Sequence, residues 1–466
     1  MLILQILYYW LVFGLRGIPS SRAKLMRTNE KRLRKKLRWV VQHIPFYQGI
    51  NPPTLNTFPV ISKATFNVNF SDLNVANIPR DEAYRFALRA EQTGQFRAKL
   101  HGLTVGLSTG TSGNRGVFLV TNKEIAQWVA MIFVRVLRLN PVRRQRIAFV
   151  FRTNSNLYQA TNVGAVTMRF FPLDLDNPAV LNDLTKFNPT TLVAQPSALI
   201  RLANYKKRAE LSIAPNRVIS IAEVLTSRDR NYLTGVFGTV IHQVYQCMEG
   251  FLAHTCELGN LHVNEDIIYW EKRYLDSDQC RTSRPAGATE PPNAARPNPA
   301  QPNAARPEKR RYHPILTDFT RQTQALIRYE LNDILVEPDA PCLCGSPFTH
   351  IGQIEGRADD VLVFSNQSGQ SVAVFPDLVR RAVCDSSDVI VSYAVYQLDY
   401  KVIYVYLDKT LLPDITLCQH IQTNLIELLA RYGVSGVSVS LFPYNQREPE
   451  TKLRRVKRNP LLTVHF

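Results

Sequence analysis

"PAVLNDLTKFNPTTLVAQPSALIRLANYKKRAEL", residues 178–211, alternates two patterns within a short span. "PAVLNDLTKF" reads as a helix. "TTLVAQ" is a brief apolar run of the kind that forms a buried strand, and "PSALIRLANYKKRAEL" opens with a proline and a serine, a common way to start a helix. Outward from there, "NRVISIAEVL" (216–225) and "TVIHQVYQ" (239–246) repeat the strand signal around the helix-like "SRDRNYLTGVFG" (227–238). Strand, helix, strand, helix, strand predicts a mostly parallel sheet covered by helices, with binding loops at the strand ends.

The rest of the chain sets the limits of that α/β body. Its 466 residues suffice for a large cored domain plus a smaller one, and a hydrophobic fraction of 45% suits a globular protein. The formal net charge of +18 points to polyanionic partners, whether nucleotide, nucleic acid or acidic membrane face. Seven cysteines, an odd number, fit a reducing, cytoplasmic compartment better than a disulfide framework.

At the N-terminus, "MLILQILYYWLVFGLRGIPSSR" is too short to span a bilayer and lacks the basic start of a secretory signal. Two readings stand for it: a helix packed on the body, or a segment making peripheral contact with a membrane. "NEKRLRKKLRWVVQHIPFY" follows, with Leu33, Leu37, Val40, Val41 and Ile44 at helical spacing under a basic outer face. Between 277 and 311 the Pro/Ala-rich text, with "PNAARP" twice, has no means of building a core and reads as a disordered insert in a surface hairpin. Past "GRADD", the alternating "VIVSYAVYQL" and "YKVIYVYL", the amphipathic "HIQTNLIELLARYG" and "VSVSLFP" make a compact α+β unit of about a hundred residues. The expected division is therefore 1–357 and 358–466.

"GLSTGTSGNRGVFLV" (106–120) places three glycines and four hydroxyl side chains between two apolar runs. Glycine lets backbone N–H groups approach a phosphate, and Ser/Thr hydroxyls add donors. A Walker loop would end in Gly-Lys-Ser/Thr at a helix start; here Gly113 precedes Asn114, Arg115 and strand-like "VFLV". On its own the stretch reads equally as a glycine-rich hairpin turn.

Four other segments, in fixed order, make the difference. "STGTSG" resembles the Ser/Thr-rich phosphate loop of the adenylate-forming enzymes, "YQCMEG" (245–250) their "YGxTE", "RYELND" (328–333) their "RYRTGD", and "GRADD" (356–360) their "GRxDD". "KLRRVKR", from Lys452, falls where they keep an essential lysine. Within that superfamily, "CELGNLHVNED", "PILTDFTRQTQALIRYELNDIL" and "CLCG" resemble the phenylacetate–CoA ligase branch, close to relatives of the methanogen synthetases that transfer AMP onto a deazaflavin coenzyme. The resemblance implies a large αβ body with a small mobile C-terminal domain, and an AMP-forming, ATP-dependent ligase that activates a carboxylic acid.

It also implies roles. Ser108, Thr109, Gly110, Thr111, Ser112 and Gly113 would hold the β- and γ-phosphates, with Arg115 supplying charge where relatives often have lysine. Glu249 would bind Mg²⁺, Tyr245 would lie against the adenine, Ala222 and Glu223 would line its edge, and Asp333 would take both ribose hydroxyls. Lys452 would be the catalytic cation at the α-phosphate; the competing reading makes "TKLRRVKR" a basic tail. Arg357, Asp359 and Asp360 match the hinge about which the small domain turns.

Cys256, His262, Cys342 and Cys344 compose the Cys₃His set of a closed tetrahedral zinc site, although free buried cysteines are also common. Phenylacetate–CoA ligase relatives carry a similar set, which implies a structural Zn²⁺ pinning the hairpin that carries the insert. His242, His254, His313 and His350 read as ordinary core or surface residues.

Three functions remain open at this stage. The adenylate passes to CoA or a carrier-protein thiol; or, because "GRADDVLVFSNQSGQSVAVFP" lacks the Arg-Gly pair that helps line the family's thiol tunnel, AMP stays on a hydroxyl or carboxyl acceptor. In the third, the chain is a non-catalytic basic binder of nucleic acid or acidic lipid. No interleaved aromatic and basic run or DNA-reading motif supports a specific nucleic-acid partner.

Overall fold

The computed structural model describes residues 2–95, 97–108, 115–140, 142–151, 162–163, 165–275, 310–387, 389–390, 393–444 and 455–462. The chain opens with α1 (Leu2–Arg16) and α2 (Arg22–His43), the latter capped by Ser21, whose hydroxyl accepts from Lys24 N. α3 (Lys63–Val68) and α4 (Arg80–Thr93) lead to the hairpin β1 (Thr104–Leu107) and β2 (Val117–Val120). Within it Gly106 faces Phe118, and a Cβ on Gly106 would stand 2.1 Å from the ring, so glycine is required for the aromatic to cover the strand. α5 (Asn122–Met131) starts at a capping box between Thr121 and Glu124 and continues as a π-helical turn, Ile132–Leu137.

The αβ alternation around residue 190 forms as expected. β3 (Gln145–Phe151), β4 (Asn162–Val163), β5 (Val166–Pro172), α6 (Pro178–Phe187), β6 (Thr191–Ala194), α7 (Pro196–Lys207), β7 (Arg217–Ser220), α8 (Ser227–Phe237) and β8 (Ile241–Cys247) follow in turn. Strands β5, β3, β6, β7 and β8 pair parallel in that order. β9 (Gly250–Thr255) and β10 (Leu261–Val263) extend the sheet antiparallel to nine strands, ending on β15 (His350–Ile351). Leu181, Leu184, Leu199, Leu202, Ala203 and Leu233 from α6, α7 and α8 bury one face against Ala148, Val150, Leu192, Ala194 and Val218. Burial of each leucine or valine among them contributes about 1.5–3 kcal/mol. The other face meets a second sheet, made of β11 (Ile268–Tyr274), β12 (Arg311–Asp318), β13 (Tyr329–Glu330), β14 (Asp333–Val336) and β16 (Gln353–Arg357). The expected insert falls between β11 and β12, and residues 277–309 of it lie outside the described residues.

After a 3₁₀ turn at Ala358–Asp360 come the hairpin β17 (Leu362–Ser365) and β18 (Ser371–Val374), the helix Pro376–Cys384, then β19 (Tyr393–Asp399), β20 (Val402–Leu407), the helix Ile415–Arg431, β21 (Ser438–Pro443) and β22 (Val456–Arg458). Their core, Leu362 through Val456 with Ile421, Leu425 and Leu429 of the long helix, draws only on this segment. The α/β class, with a large body and a small α+β C-terminal unit, is as the sequence predicts. Arg228 of α8 ties the two together by donating to Cys384 O at 2.9 Å, and Arg380 donates to Glu355 O at 2.7 Å.

No helix among the described residues is long and apolar enough to cross a membrane. α1 packs on α5 and the π-helical turn, yet none of its residues is fully buried.

Candidate functional site

In an open parallel sheet, ligands bind beyond the carboxyl ends of the strands. Three polar atoms stand there, at the ends of β6 and β7: Gln195 Oε1, Ser220 Oγ and Glu223 Oε1 are buried and have no hydrogen-bond partner among the described residues. Buried polar atoms are normally paired, so such a cluster is expected where a ligand completes it. The backbone shows the same. Ala222 has φ 68°, a left-handed conformation rare outside glycine, which turns the chain sharply past β7.

Glu249 lies in the tight turn between β8 and β9, and Tyr245 sits near the end of β8 with its ring buried. Asp333 opens β14 in the second sheet. Tyr245 Oη donates to Asp333 Oδ2 at 2.5 Å, joining the two sheets at this point. Burial drives the Tyr245 hydroxyl well above its usual pKa, and Asp333 and Glu249 add to the effect, so it remains a donor. Tyr329 behaves likewise, shifted upward first by burial and then by the nearby charge of Glu249.

Arg357, last residue of β16, holds Nε 3.8 Å from Asp333 Oδ1. Burial disfavours its charge, but Asp333, Asp360, Glu249 and Asp359 outweigh that and raise its pKa. Arg458 also lies in the field of Asp359 and Asp360, so two guanidinium groups share these carboxylates.

The β1–β2 hairpin reaches this cluster through Gly116, where a Cβ would come within 2.3 Å of Met248 Cε, next to Glu249. Its neck is closed by Ser108 N donating to Gly116 O at 2.8 Å and Gly116 N to Ser108 Oγ at 2.7 Å. A hydroxyl that accepts keeps its own proton for donation. Residues Thr109–Gly113 of the expected phosphate loop lie outside the described residues, as does Lys452. Arg455, three residues beyond Lys452, lies over the Tyr393 ring and within electrostatic reach of Asp229 in the first turn of α8.

Arg115, expected to supply charge to a phosphate, has protein partners of its own. Its guanidinium forms a two-pronged pair with Glu91 at 2.7 and 2.8 Å and donates to Ser108 O at 2.7 Å, so it braces the loop against α4. Arg321 is not among the residues the sequence singles out. It donates to Met248 O at 2.5 Å and fixes the turn that bears Glu249, while His313 Nδ1 contacts Asp333 O at 3.0 Å. Isolated side chains such as Arg321, Gln195 and Ser220 carry no spacing signal. Glu223, adjacent to them, came only from the family likeness.

Cys256, His262, Cys342 and Cys344 form the second cluster, their ligand atoms all within 4.8 Å of one another. Cys256 Sγ is 3.8 Å from Cys342 Sγ, and Cys344 Sγ is 3.4 Å from His262 Nε2. Tetrahedral zinc with Zn–S of about 2.3 Å and Zn–N of about 2.0 Å has edges of about 3.8 and 3.5 Å, so the donor set fits that ion. His262 Nδ1 bonds Phe348 O at 3.0 Å, which orients the ring with Nε2 toward the thiols; Asn260 and the Ser346 N–H donate to Cys342 and Cys344. His350 stacks on His262 at 5.4 Å. The location differs from the expectation. This set joins the β9–β10 turn to the loop before β15, at the edge of the nine-stranded sheet, and not β11 to β12, the hairpin that carries the insert.

No protein-family model matches the chain, and no curated protein does. Its fold, however, is similar to solved ligases. A 2-hydroxyisobutyryl-CoA ligase in the postadenylation state with 2-HIB-AMP matches at TM-score 0.60 and 16% identity, covering 96% of this chain and 91% of that one. The same ligase in an open conformation with 2-HIB-AMP and CoA gives 0.52 at 16%, over 94% and 92%. The anthranilate CoA ligase AuaEII with anthranoyl-AMP gives 0.51 at 16%, over 76% and 66%. The chain therefore has the fold of the adenylate-forming CoA ligases, a large N-terminal body followed by a smaller C-terminal domain.

Proposed function

We propose that the protein is an ATP-dependent, AMP-forming enzyme that activates a carboxylic acid as its adenylate. The observation that carries this reading is the meeting of Tyr245, Glu249, Asp333 and Arg357, from separate segments, beside the β1–β2 hairpin and the unpartnered polar atoms at the ends of β6 and β7.

In the proposed mechanism the hairpin, with Ser108, Thr109, Gly110, Thr111, Ser112 and Gly113, grips the β- and γ-phosphates through N–H and hydroxyl donors. Asp333, held in place by Tyr245 and Arg357, accepts the ribose hydroxyls. Ala222, Glu223 and the ring of Tyr245 bound the adenine. The acid's carboxylate attacks the α-phosphorus, a P–O bond forms, and the bond to the β-phosphate oxygen breaks to release pyrophosphate. Lys452 stabilises the charge that develops on the α-phosphate oxygens, an electrostatic contribution worth on the order of a hundredfold or more. Mg²⁺ bound at Glu249 would neutralise phosphate charge. Asp359 and Asp360 form the hinge between half-reactions, and the Cys₃His cluster holds a structural Zn²⁺.

A specific observation favours keeping AMP on the product over thioester formation. Between β17 and β18, where the CoA ligases keep an arginine-glycine pair, residues 366–370 form a largely exposed turn that bonds back to Gly433 O through Gln367 N. An ATP–pyrophosphate exchange screen across aryl, fatty and amino acids tests the main reading, and mass spectrometry of the product, with and without CoA, separates the two outcomes. Exchange with none of the acids, together with salt-sensitive nucleic-acid binding, would overturn both.

A further inference from the structure

α1 presents an anomaly. A helix that is apolar all round belongs in a core, yet this one has no buried residue. Ile3, Leu4, Leu7, Tyr8, Leu11 and Leu15 are 39–87% exposed. At 100° per residue these six fall within one arc of about 140°, a continuous outer stripe opposite the side packed on α5. Beside it a groove of about 390 Å³, walled by Trp10, Leu11, Leu15, Val134, Arg138 and Leu139, opens between α1 and the π-helical turn with the residues that follow it. An apolar face of this kind marks an interaction surface.

Charge selects the occupant. Residues 1–38 contain one acidic side chain, Glu30, which lies 3.7 Å from Arg34, while Arg16, Arg22, Lys24, Arg27, Lys31, Arg34, Lys35 and Arg38 are all exposed. Arg16 at the end of α1 lies close enough to Arg32 of α2 for the two charges to repel, so the stripe ends against the basic helix. A second copy of this chain would bring the same cationic surface against itself, an arrangement disfavoured by like charge. An anionic bilayer accepts both features, apolar side chains below the headgroups and Lys/Arg at their level. The 15 residues of α1, at about 1.5 Å each, are shorter than the ~30 Å hydrocarbon core.

We infer that the protein docks reversibly on an anionic membrane surface, with α1 lying in the interface through its outer apolar stripe and the exposed basic residues of α2 meeting lipid headgroups.

The full chain is tested by co-sedimentation with phosphatidylcholine vesicles with and without phosphatidylglycerol. Binding is expected to be at least about tenfold stronger on the anionic vesicles, to weaken with added salt, and to blue-shift a Trp10 emission identified by its loss in Trp10→Phe. Leu4→Glu/Leu11→Glu should lose about tenfold or more of the binding with an unchanged unfolding midpoint, since both positions are already solvated. Lys31→Glu/Lys35→Glu provides an independent check that leaves α1 intact and should weaken binding to the anionic vesicles only. Equal binding by wild type and both variants, or no binding to either vesicle, overturns the inference. So does self-association of the wild type that the leucine variant abolishes without any vesicle binding, which assigns the stripe to a second copy.

Discussion

The hydroxyl of Tyr245 donates to Asp333 Oδ2 at 2.5 Å, linking the last residues of the parallel sheet to the first strand position after "RYELN". Asp333 is therefore oriented before any ligand arrives, with lone pairs still able to accept. Tyr245→Phe removes this charge-assisted donor and leaves the carboxylate to find another rotamer. The expected result is a rise of roughly tenfold in KM for ATP with a smaller change in kcat. Steady-state kinetics checks it, and an unchanged KM would show that the bond does not position Asp333.

Glu249→Gln keeps the shape of the β8–β9 turn and removes one charge. If Glu249 holds Mg²⁺, activity at a fixed metal concentration drops by about a hundredfold and part of it returns at high Mg²⁺. A magnesium titration of the variant reads this directly, and an unaltered curve assigns the metal elsewhere.

The Cys₃His cluster should contain about one zinc per chain by elemental analysis. Cys342→Ser is expected to lose the metal and lower the unfolding midpoint by several degrees, because binding free energy is also folding free energy. Adenylation should survive near the permissive temperature, since the cluster has no place for substrate. Full stability in the metal-free variant would remove its structural role.

How far the sequence alone reaches is uneven, and the reasons are physical. The βα units around Thr191–Ala194 are legible because helix and strand leave different apolar periods. Tyr245, Glu249, Asp333 and Arg357 are legible as short motifs in fixed order, although nothing in the text says that Tyr245 bonds Asp333 across two sheets. Arg115 reads as a phosphate ligand because its neighbours invite it; its pairing with Glu91 of α4 spans a distance that leaves no local trace in the sequence. The family likeness singles out the cysteine-histidine set, but only the strand pairing shows which turn and loop it joins. Nor does apolar composition alone distinguish a packed α1 from an exposed one. α1 is in fact both, packed on one side and open on the other.

His242 supplies a pH dependence. Burial, then the charges of Arg217 and Arg138, lowers its pKa from 6.5 to about 3, so the folded protein keeps it neutral. A depressed histidine contributes stability that is fully present above about pH 6.5 and is lost as pH falls toward about 3, where the unfolded chain takes up the proton first. His242→Asn, whose amide falls where Nδ1 bonds Thr255 Oγ1, should flatten this part of the stability curve. Denaturant melts between neutral and acid pH measure it; parallel curves for the two proteins would contradict the assignment.

The central claim is that these segments assemble around ATP for attack at the α-phosphorus, with Lys452 as the decisive charge. Acid-dependent ATP–pyrophosphate exchange in wild type and Lys452→Ala measures it most directly. The account predicts Mg²⁺-dependent exchange with at least one carboxylic acid and a fall of on the order of a hundredfold or more in the variant. Undiminished exchange in Lys452→Ala would contradict it.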